Sequence, residues 1–506
     1  MSTELMKFHL FIDGEWVQGS DGETFPVINP ATGKIVAEVD KGGKQDIDRA
    51  VKAARRVFEA GSWSELPPRK RAQVLFAVAQ KIAERAEELV YLESVSSGGT
   101  VRRIGAFDIM SAADVFNTMA NFCLGYQYTE ALPVPAYPGP AHNFIWREPV
   151  GVCAAIVPWN FPLLMACWKI APALAMGNSV VIKPASNTPL TALVLAQIIT
   201  ECGVPPGAVN VVPGPGASAG ELLVAHPEVD KIAFTGSTEV GRRIMQLASG
   251  TIKKLTLELG GKSPAILLDD ADLAIAIPGS LYAFLLHSGQ ICESGTRLFV
   301  PDSLYDQVVE LLAAYAAKIK LGNPLDPATD MGPVVSRQQL DTVLSYIGWG
   351  REQGARLVCG GRRAVVAGCE EGYFVEPTIF ADATNDMRIS REEIFGPVLA
   401  VIRYHDVAQA VEMANDSIYG LAAGVWSKDV NKAYRVARKL RAGTVWINDW
   451  HHLRSDAPFG GYKQSGIGRE LGRQALDEYT QVKHVHTSMV PDLERRPWLQ
   501  LIFSQG

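Results

Sequence analysis

The sequence predicts an α/β protein with two doubly wound, Rossmann-like units, each around a parallel sheet. Three observations carry this. Short apolar runs alternate with helices over 150–260, a second series of the same kind covers 297–448, and the segments 128–149 and 481 onward fit neither. In the first series the run at 151–157, GVCAAIV, is apolar without alternation, as a strand buried on both faces requires. Runs at 178–182, 209–212, 231–235 and 255–259 continue it. Ahead of them, residues 46–60 place Ile47, Ala50, Val51, Ala54, Val57 and Phe58 on one helical face. A helix after 182 is punctuated by Asn187 or Thr188 as N-cap, Pro189 in its first turn and Gly203 past its end. The second series predicts strands at 297–300, 398–404, 422–426 and 444–448, with helices at 304–319, 407–415 and 430–440. Trp426, Trp446 and Trp450 read as core or pocket walls.

The 506 residues are enough for roughly three domains. Lys plus Arg number 48 and Asp plus Glu 54, a net charge of −6 with no basic block, which argues against nucleic acid or an anionic membrane as partner. Seven cysteines, widely spaced and without C-x-x-C, disfavour a disulfide framework or a metal site and suit a reducing cytoplasm. Charges at Glu4, Lys7 and Asp13 exclude a signal peptide from the reading. The stretch 150–168 carries no charge, but Pro158, Asn160 and Pro162 in its middle fit a buried strand running into a loop better than a membrane span.

Six segments are candidates for chemistry. FTGSTEVG at 234–241 follows an apolar run and opens a helix, whose backbone N–H groups can hold a pyrophosphate; a plain turn is the competing reading. GPGASAG at 214–220 is one residue too long for the dinucleotide fingerprint. Lys183, at a strand end, can bond ribose hydroxyls or simply face solvent. Cys292 stands in SGQICESGTR between an apolar helix at 281–286 and a strand, with Gly289 and Gly295 allowing tight turns. It is the candidate nucleophile, against the default of a buried small residue. Glu258, inside the apolar LTLELGG, is costly to bury without a task or a partner. Burial would raise its pKa and suit it to general-base work. Asn160, in PWNFP, offers an amide N–H to an oxyanion or to a turn.

Taken together, PWNFP (158–162), KPAS (183–186), FTGSTEVG (234–241), LELGGKSP (257–264), GQICESGTR (289–297), EEIFGPV (392–398) and PFGGYKQSGIGREL (458–471) resemble the aldehyde dehydrogenase superfamily, and FIDGEWV near the start extends the match over nearly the whole chain. The resemblance implies cofactor-binding and catalytic Rossmann-like domains plus a small β oligomerisation domain. They map to 1–127 with 150–260, to 261–464, and to 128–149 with 479–498. It implies that Cys292 attacks the aldehyde, that Asn160 and the Cys292 N–H hold the oxyanion, and that hydride passes to the nicotinamide. Glu258 then activates the water that hydrolyses the thioester, and Glu470 relays its protons. For the cofactor it implies Lys183 and Glu393 on the two riboses and Phe395 flanking the nicotinamide. Ile156, Trp159, Ser186, Gly216, Phe234, Gly236, Ser237, Val240 and Leu259 line the cleft. No metal is implied. The expected product is a carboxylic acid, and the expected assembly a homodimer or homotetramer.

Three positions depart from the family pattern. Ser186 stands where NAD-preferring relatives often carry Glu; lacking that charge, the site is expected to accept NADP alongside NAD. His287 replaces a usual Asn. Glu293, directly after the nucleophile, would raise the thiol pKa if ionised and close. The substrate wall maps to Phe161, Met165, Trp168, Leu286, Ile291, Glu293, Trp450, His451, Leu453 and Phe459, with His452 beside them. A medium-sized aliphatic or aromatic aldehyde is expected. Three alternatives stand beside this reading: a semialdehyde paired with Arg454, a CoA-acylating relative, which Glu258 argues against, and a non-catalytic binding protein.

Overall fold

The computed structural model describes residues 5–135, 137, 139–492 and 495–502. Positions 1–4, 136, 138, 493 and 494, parts of the expected segments 1–127, 128–149 and 479–498, lie outside the described residues.

Two large sheets organise the chain. The first has eight strands in the order Gly466–Ile467, Lys254–Glu258, Lys231–Thr235, Val152–Ile156, Ser179–Lys183, Val209–Val211, Leu10–Ile12, Glu15–Val17. Its middle five are parallel and the outer ones antiparallel. The chain runs outward in one direction from Val152–Ile156 and then returns to add Lys231–Thr235 on that strand's other side. This creates a crevice at the carboxyl ends of the two strands, where open α/β sheets bind ligands. The second sheet has seven strands, ordered Arg356–Cys359, Thr378–Ala381, Val398–Tyr404, Arg297–Pro301, Pro264–Leu267, Ala422–Trp426, Thr444–Ile447, all parallel except the first. Each strand the sequence predicts in the two series forms, with ends displaced by at most one residue.

Two three-stranded sheets complete the fold. One joins Met6–Phe8, Ile35–Asp40 and Thr24–Ile28. The other, antiparallel, joins Thr480–Ser488, Ala141–Pro149 and Thr129–Ala131, and so pairs the two segments that fitted neither α/β series.

The helices depart more from expectation. The one after 182 is Leu190–Glu201, and Pro189 itself takes the N-cap position. Neither Asn187 nor Thr188 caps it, because the Thr188 hydroxyl donates instead to the Trp159 carbonyl at 3.3 Å. The helix expected at 304–319 is Tyr305–Ala316, entered through a single 3-10 turn at Asp302–Leu304. The apolar run at 281–286 ends a longer helix, Leu273–Leu285. Helices Pro68–Glu84, Ala86–Ser97 and Ile109–Leu124 lie outside the predicted set. Helix Pro162–Ala175 is buried along its whole length and packs beneath the crevice. Among the described residues no helix is long and apolar enough to cross a membrane.

Candidate active site

The crevice of the first sheet faces the amino-terminal side of the second. Glu258 ends its strand, and Gly260 and Gly261 carry the chain across into Pro264–Leu267. Gly261 passes so close to the nucleophile loop that a Cβ there would stand 2.4 Å from the Cys292 carbonyl oxygen. On the other side, His287 and Ser288 adopt left-handed backbone, with φ of 51° and 56°. Gly289 follows at φ 73°, where a Cβ would meet the Gly396 carbonyl oxygen at 2.2 Å. These turns deliver Cys292 to the crevice just before strand Arg297–Pro301.

Cys292, Asn160 and Glu258 line one cavity of about 250 Å³, open to solvent at its mouth. Asn160 donates one amide hydrogen to the Gln290 carbonyl at 2.8 Å, and Gln290 accepts in turn from the Val335 N–H at 2.8 Å. The Asn160 side chain is thereby held against the nucleophile loop, and its Nδ2 keeps a second hydrogen. Glu258 is buried and neither carboxylate oxygen has a hydrogen-bond partner. Burial, and then the neighbouring Glu470 carboxylate, hold Glu258 well above the usual carboxylate range.

Glu470 lies behind Glu258. The Lys169 ammonium donates to Glu470 at 2.7 Å and to the Thr235 hydroxyl at 2.6 Å. Lys169 is fully buried in helix Pro162–Ala175. Sequence reasoning missed it, though a lone charge in LLMACWKIAPALA demands a buried partner.

Burial pushes the Cys292 thiol well above its usual range, and the Glu293 carboxylate pushes it further. Glu293 is buried, with one oxygen 3.1 Å from Sγ and the other 3.1 Å from His451 Nδ1.

The apolar wall is close to expectation. Phe161, Met165, Trp168, Leu286, Ile291, Glu293, His451, Leu453 and Phe459 line the cavity. Trp450 does not. It is buried in the second domain's core, where its indole N–H donates to the Glu293 carbonyl at 3.2 Å and its ring covers Gly295 and Gly424. Phe107, Leu164 and Gln339 join the wall unpredicted. Phe107 comes from a π-turn, Ile104–Asp108, that carries no local sequence pattern. Arg454 faces outward, holding Asp456 through two contacts of 2.8 and 2.7 Å, and is not among the cavity's lining residues.

The cofactor-side residues gather at the carboxyl edge of the first sheet. Trp159, Gly236, Ser237, Leu259, Glu393 and Phe395 line the same cavity. Ile156 and Lys183 end adjacent strands, and Phe234 packs under Gly236. Ser237 caps helix Thr238–Ala248, accepting from the Val240 N–H at 3.3 Å. Val240 is exposed beside it. Gly216 opens the short turn Gly216–Gly220 with clear space above it, and Ser186 donates to the Gly214 carbonyl at 3.0 Å. Phe395 has φ 57° and meets the Trp159 ring edge-on, centroids 5.1 Å apart.

This edge fits a ligand with both phosphate and hydroxyl groups. A capped helix N-terminus attracts the former. Buried Lys183, lowered to about 8 by burial alone, and half-buried Glu393, raised to about 7 and already accepting from the Gly261 N–H at 3.0 Å, can bond the latter. Among the described residues no cluster of metal-ligating side chains occurs.

A sequence profile described as "Aldehyde dehydrogenase family" matches residues 16–485. The chain is 46% identical over 483 residues to betaine aldehyde dehydrogenase of Bacillus subtilis (strain 168), covering 95% of this chain and 98% of that protein. It is 44% identical over 485 residues to human mitochondrial aldehyde dehydrogenase, covering 95% and 92%. The structure of an NAD+ complex of aldehyde dehydrogenase from Bacillus cereus superposes with a TM-score of 0.93 at 45% identity, covering 96% of this chain and 97% of that one. An indole-3-acetaldehyde dehydrogenase in complex with NAD+ gives 0.93 at 42% identity, covering 96% and 98%. With two Rossmann-like sheets, a shared crevice and this likeness along nearly all its length, the chain belongs to the aldehyde dehydrogenase family.

Proposed function

We propose that the protein oxidises a medium-sized aliphatic or aromatic aldehyde to its carboxylic acid with NAD+, through a thioester on Cys292. The observation that carries this reading is the convergence of Cys292, Asn160, Glu258, Glu393 and Phe395 on one cavity whose remaining wall is largely apolar and aromatic. Cys292 Sγ attacks the aldehyde carbon. The free Asn160 amide hydrogen and the Cys292 N–H hold the oxyanion, each donor being worth about 2.7–4 kcal/mol in comparable sites. Bound at the sheet edge, the nicotinamide supplies the two-electron acceptor that takes the tetrahedral adduct to the thioester. Phe395 and Trp159 position its ring, Glu393 and Lys183 its riboses, and the Ser237-capped helix its pyrophosphate. Glu258, ionised, takes the proton of the hydrolytic water; Glu470, anchored by Lys169, passes it on.

Ser186 places no charge opposite a ribose 2′-phosphate, so NADP is accepted as well. Two further parts complete the reading, and one alternative falls away. The sheet of Thr129–Ala131, Ala141–Pro149 and Thr480–Ser488 serves assembly into a homodimer or homotetramer. Seven free cysteines are consistent with a reducing cytoplasm. The Arg454 semialdehyde reading loses its support, since that guanidinium is already paired with Asp456.

The test is formation of reduced nicotinamide, read by its near-ultraviolet absorbance, with NAD and with NADP across an aldehyde panel, beside Cys292→Ala. Turnover surviving in that variant contradicts the mechanism. A KM for NADP worse by about a thousandfold, roughly 4 kcal/mol, contradicts the dual specificity alone.

A further inference from the structure

The reacting sulfur is one end of a chain of three side chains. Cys292 Sγ lies 3.1 Å from Glu293 Oε2, Glu293 Oε1 lies 3.1 Å from His451 Nδ1, and His451 Nε2 lies 3.2 Å from the Ala283 carbonyl oxygen. A carbonyl oxygen only accepts, so Nε2 carries a hydrogen. The remaining ring nitrogen faces a carboxylate. The imidazole is therefore placed either as an imidazolium donating at both ends or as a neutral ring accepting a proton held by Glu293.

The surroundings hold that geometry. Glu293 and His451 are both buried. The Trp450 indole N–H pins the Glu293 carbonyl, and the Tyr282 ring packs edge-on to the imidazole with centroids 5.2 Å apart. Ala283 lies near the carboxyl end of helix Leu273–Leu285, where the helix dipole favours a cationic ring. His451 holds this place with left-handed backbone, φ 58°, a strained conformation that persists only where surrounding contacts impose it.

We infer that Glu293 is the proton acceptor for Cys292, and that His451 is the positioning residue that orients its carboxylate and balances its charge. The inference rests on Cys292 being the nucleophile. It assigns the step that the Glu258 reading leaves open. Burial beside Glu470 holds Glu258 well above the usual carboxylate range, and it has no hydrogen bond to the thiol.

In the attack, the S–H bond breaks and the S–C bond forms. The carbonyl π pair becomes the oxyanion held by Asn160, and the thiol proton moves to Glu293 Oε2. It stays there while the aldehyde carbon is oxidised by the two-electron acceptor named above. When water displaces the sulfur, the C–S bond breaks and the departing thiolate takes the proton back. Thiol and carboxylate are both restored after each turnover. The water's own proton leaves through Glu258, so the two carboxylates serve two different protons. The other ionisable groups facing the trio are Glu258 and Glu393 on the cavity side and Tyr282 beside the imidazole, with Asp449 and Arg103 acting on Tyr282 from further out.

The deciding measurement is the rate of Cys292 alkylation by iodoacetamide across pH in the full-length enzyme, followed by peptide mass, together with the first-turnover burst of reduced nicotinamide. Glu293→Gln keeps size and hydrogen bonding but cannot take a proton. It is expected to slow both at neutral pH by about a hundredfold, the low end of a general-base contribution, and to move the alkylation limb to higher pH. Glu293→Asp recovers part of the rate. His451→Gln, the second variant should Glu293→Gln not fold, shifts the limb in the same direction by a smaller amount. If Glu293 merely repelled a thiolate, Glu293→Gln would alkylate faster and at lower pH. That result, or rates equal to the unsubstituted enzyme, overturns the inference. Loss of turnover in Cys292→Ala alongside it leaves the nucleophile reading standing, whereas turnover surviving in Cys292→Ala removes that reading itself.

Discussion

The surroundings of Cys292 favour its thiol form. Burial and a carboxylate neighbour both oppose its ionisation, so its chemistry depends on groups placed around it rather than on an intrinsically acidic sulfur. In the proposed mechanism Asn160 and Glu258 act at different stages, and each gives a separable prediction. Asn160→Ala removes an oxyanion donor and is expected to lower kcat by about a hundred- to a thousandfold, measured in steady state with NAD affinity unchanged. Glu258→Gln spares the first turnover and stalls hydrolysis, seen as a burst of reduced nicotinamide without acid release. The pH dependence follows from the raised Glu258 pKa. The working form is the carboxylate, so thioester hydrolysis accelerates as pH rises above the usual carboxylate range, and the slope vanishes in Glu258→Gln. The sequence alone marked Cys292 and Glu258 as candidates because a carboxylate in an apolar run and a cysteine between glycines are each unusual. Glu293 was legible as an oddity and no more. Its partner His451 comes from a loop 158 positions away, and the pairing is made by tertiary structure.

At the scale of elements, strands were read almost to the residue because continuous apolar runs bounded by Gly, Pro and Asn leave little freedom in a sheet buried on both faces. Helix starts were read unevenly: Val407–Asn415 and Val430–Ala437 begin where expected, whereas the cap of Leu190–Glu201 does not. Thr188 has the chemistry of a cap, yet its hydroxyl is spent on Trp159, a contact outside any local pattern. Helix Pro162–Ala175 shows the same limit: its apolar length was legible, while the partner of Lys169 lies 301 positions away in Glu470. That buried pair links the floor of the site to the relay behind Glu258. Removing one partner strands a charge, so Lys169→Met is expected to cost about 3–5 kcal/mol in denaturant unfolding. The double variant Lys169→Met with Glu470→Leu should recover much of that loss. A loss in the double variant equal to the sum of the two single-variant losses would show that the pair is not coupled.

For the whole molecule, the two α/β series were legible as two units because each repeats the same alternation. Their mutual arrangement was not, since it depends on the Gly260–Gly261 crossing and on close approaches such as that of Gly261 to Cys292. The segments that fitted neither series proved to be one sheet. Its outer strand, Thr480–Ser488, is mostly exposed along its length and leaves an unpaired edge. An edge of that length invites pairing with another copy. Light scattering is expected to give a dimer or tetramer, and Val482→Pro, which interrupts the exposed strand, to shift it toward smaller species; a monomer in the unsubstituted protein contradicts this.

The central claim is a covalent thioester on Cys292, resolved by Glu258. Its most direct test is the intact mass of Glu258→Gln after brief incubation with an aldehyde and NAD+, with the modified peptide located. An acyl adduct on Cys292, absent from Cys292→Ala and absent without NAD+, is the predicted result. An adduct on another residue, or no adduct while reduced nicotinamide still forms, contradicts the account.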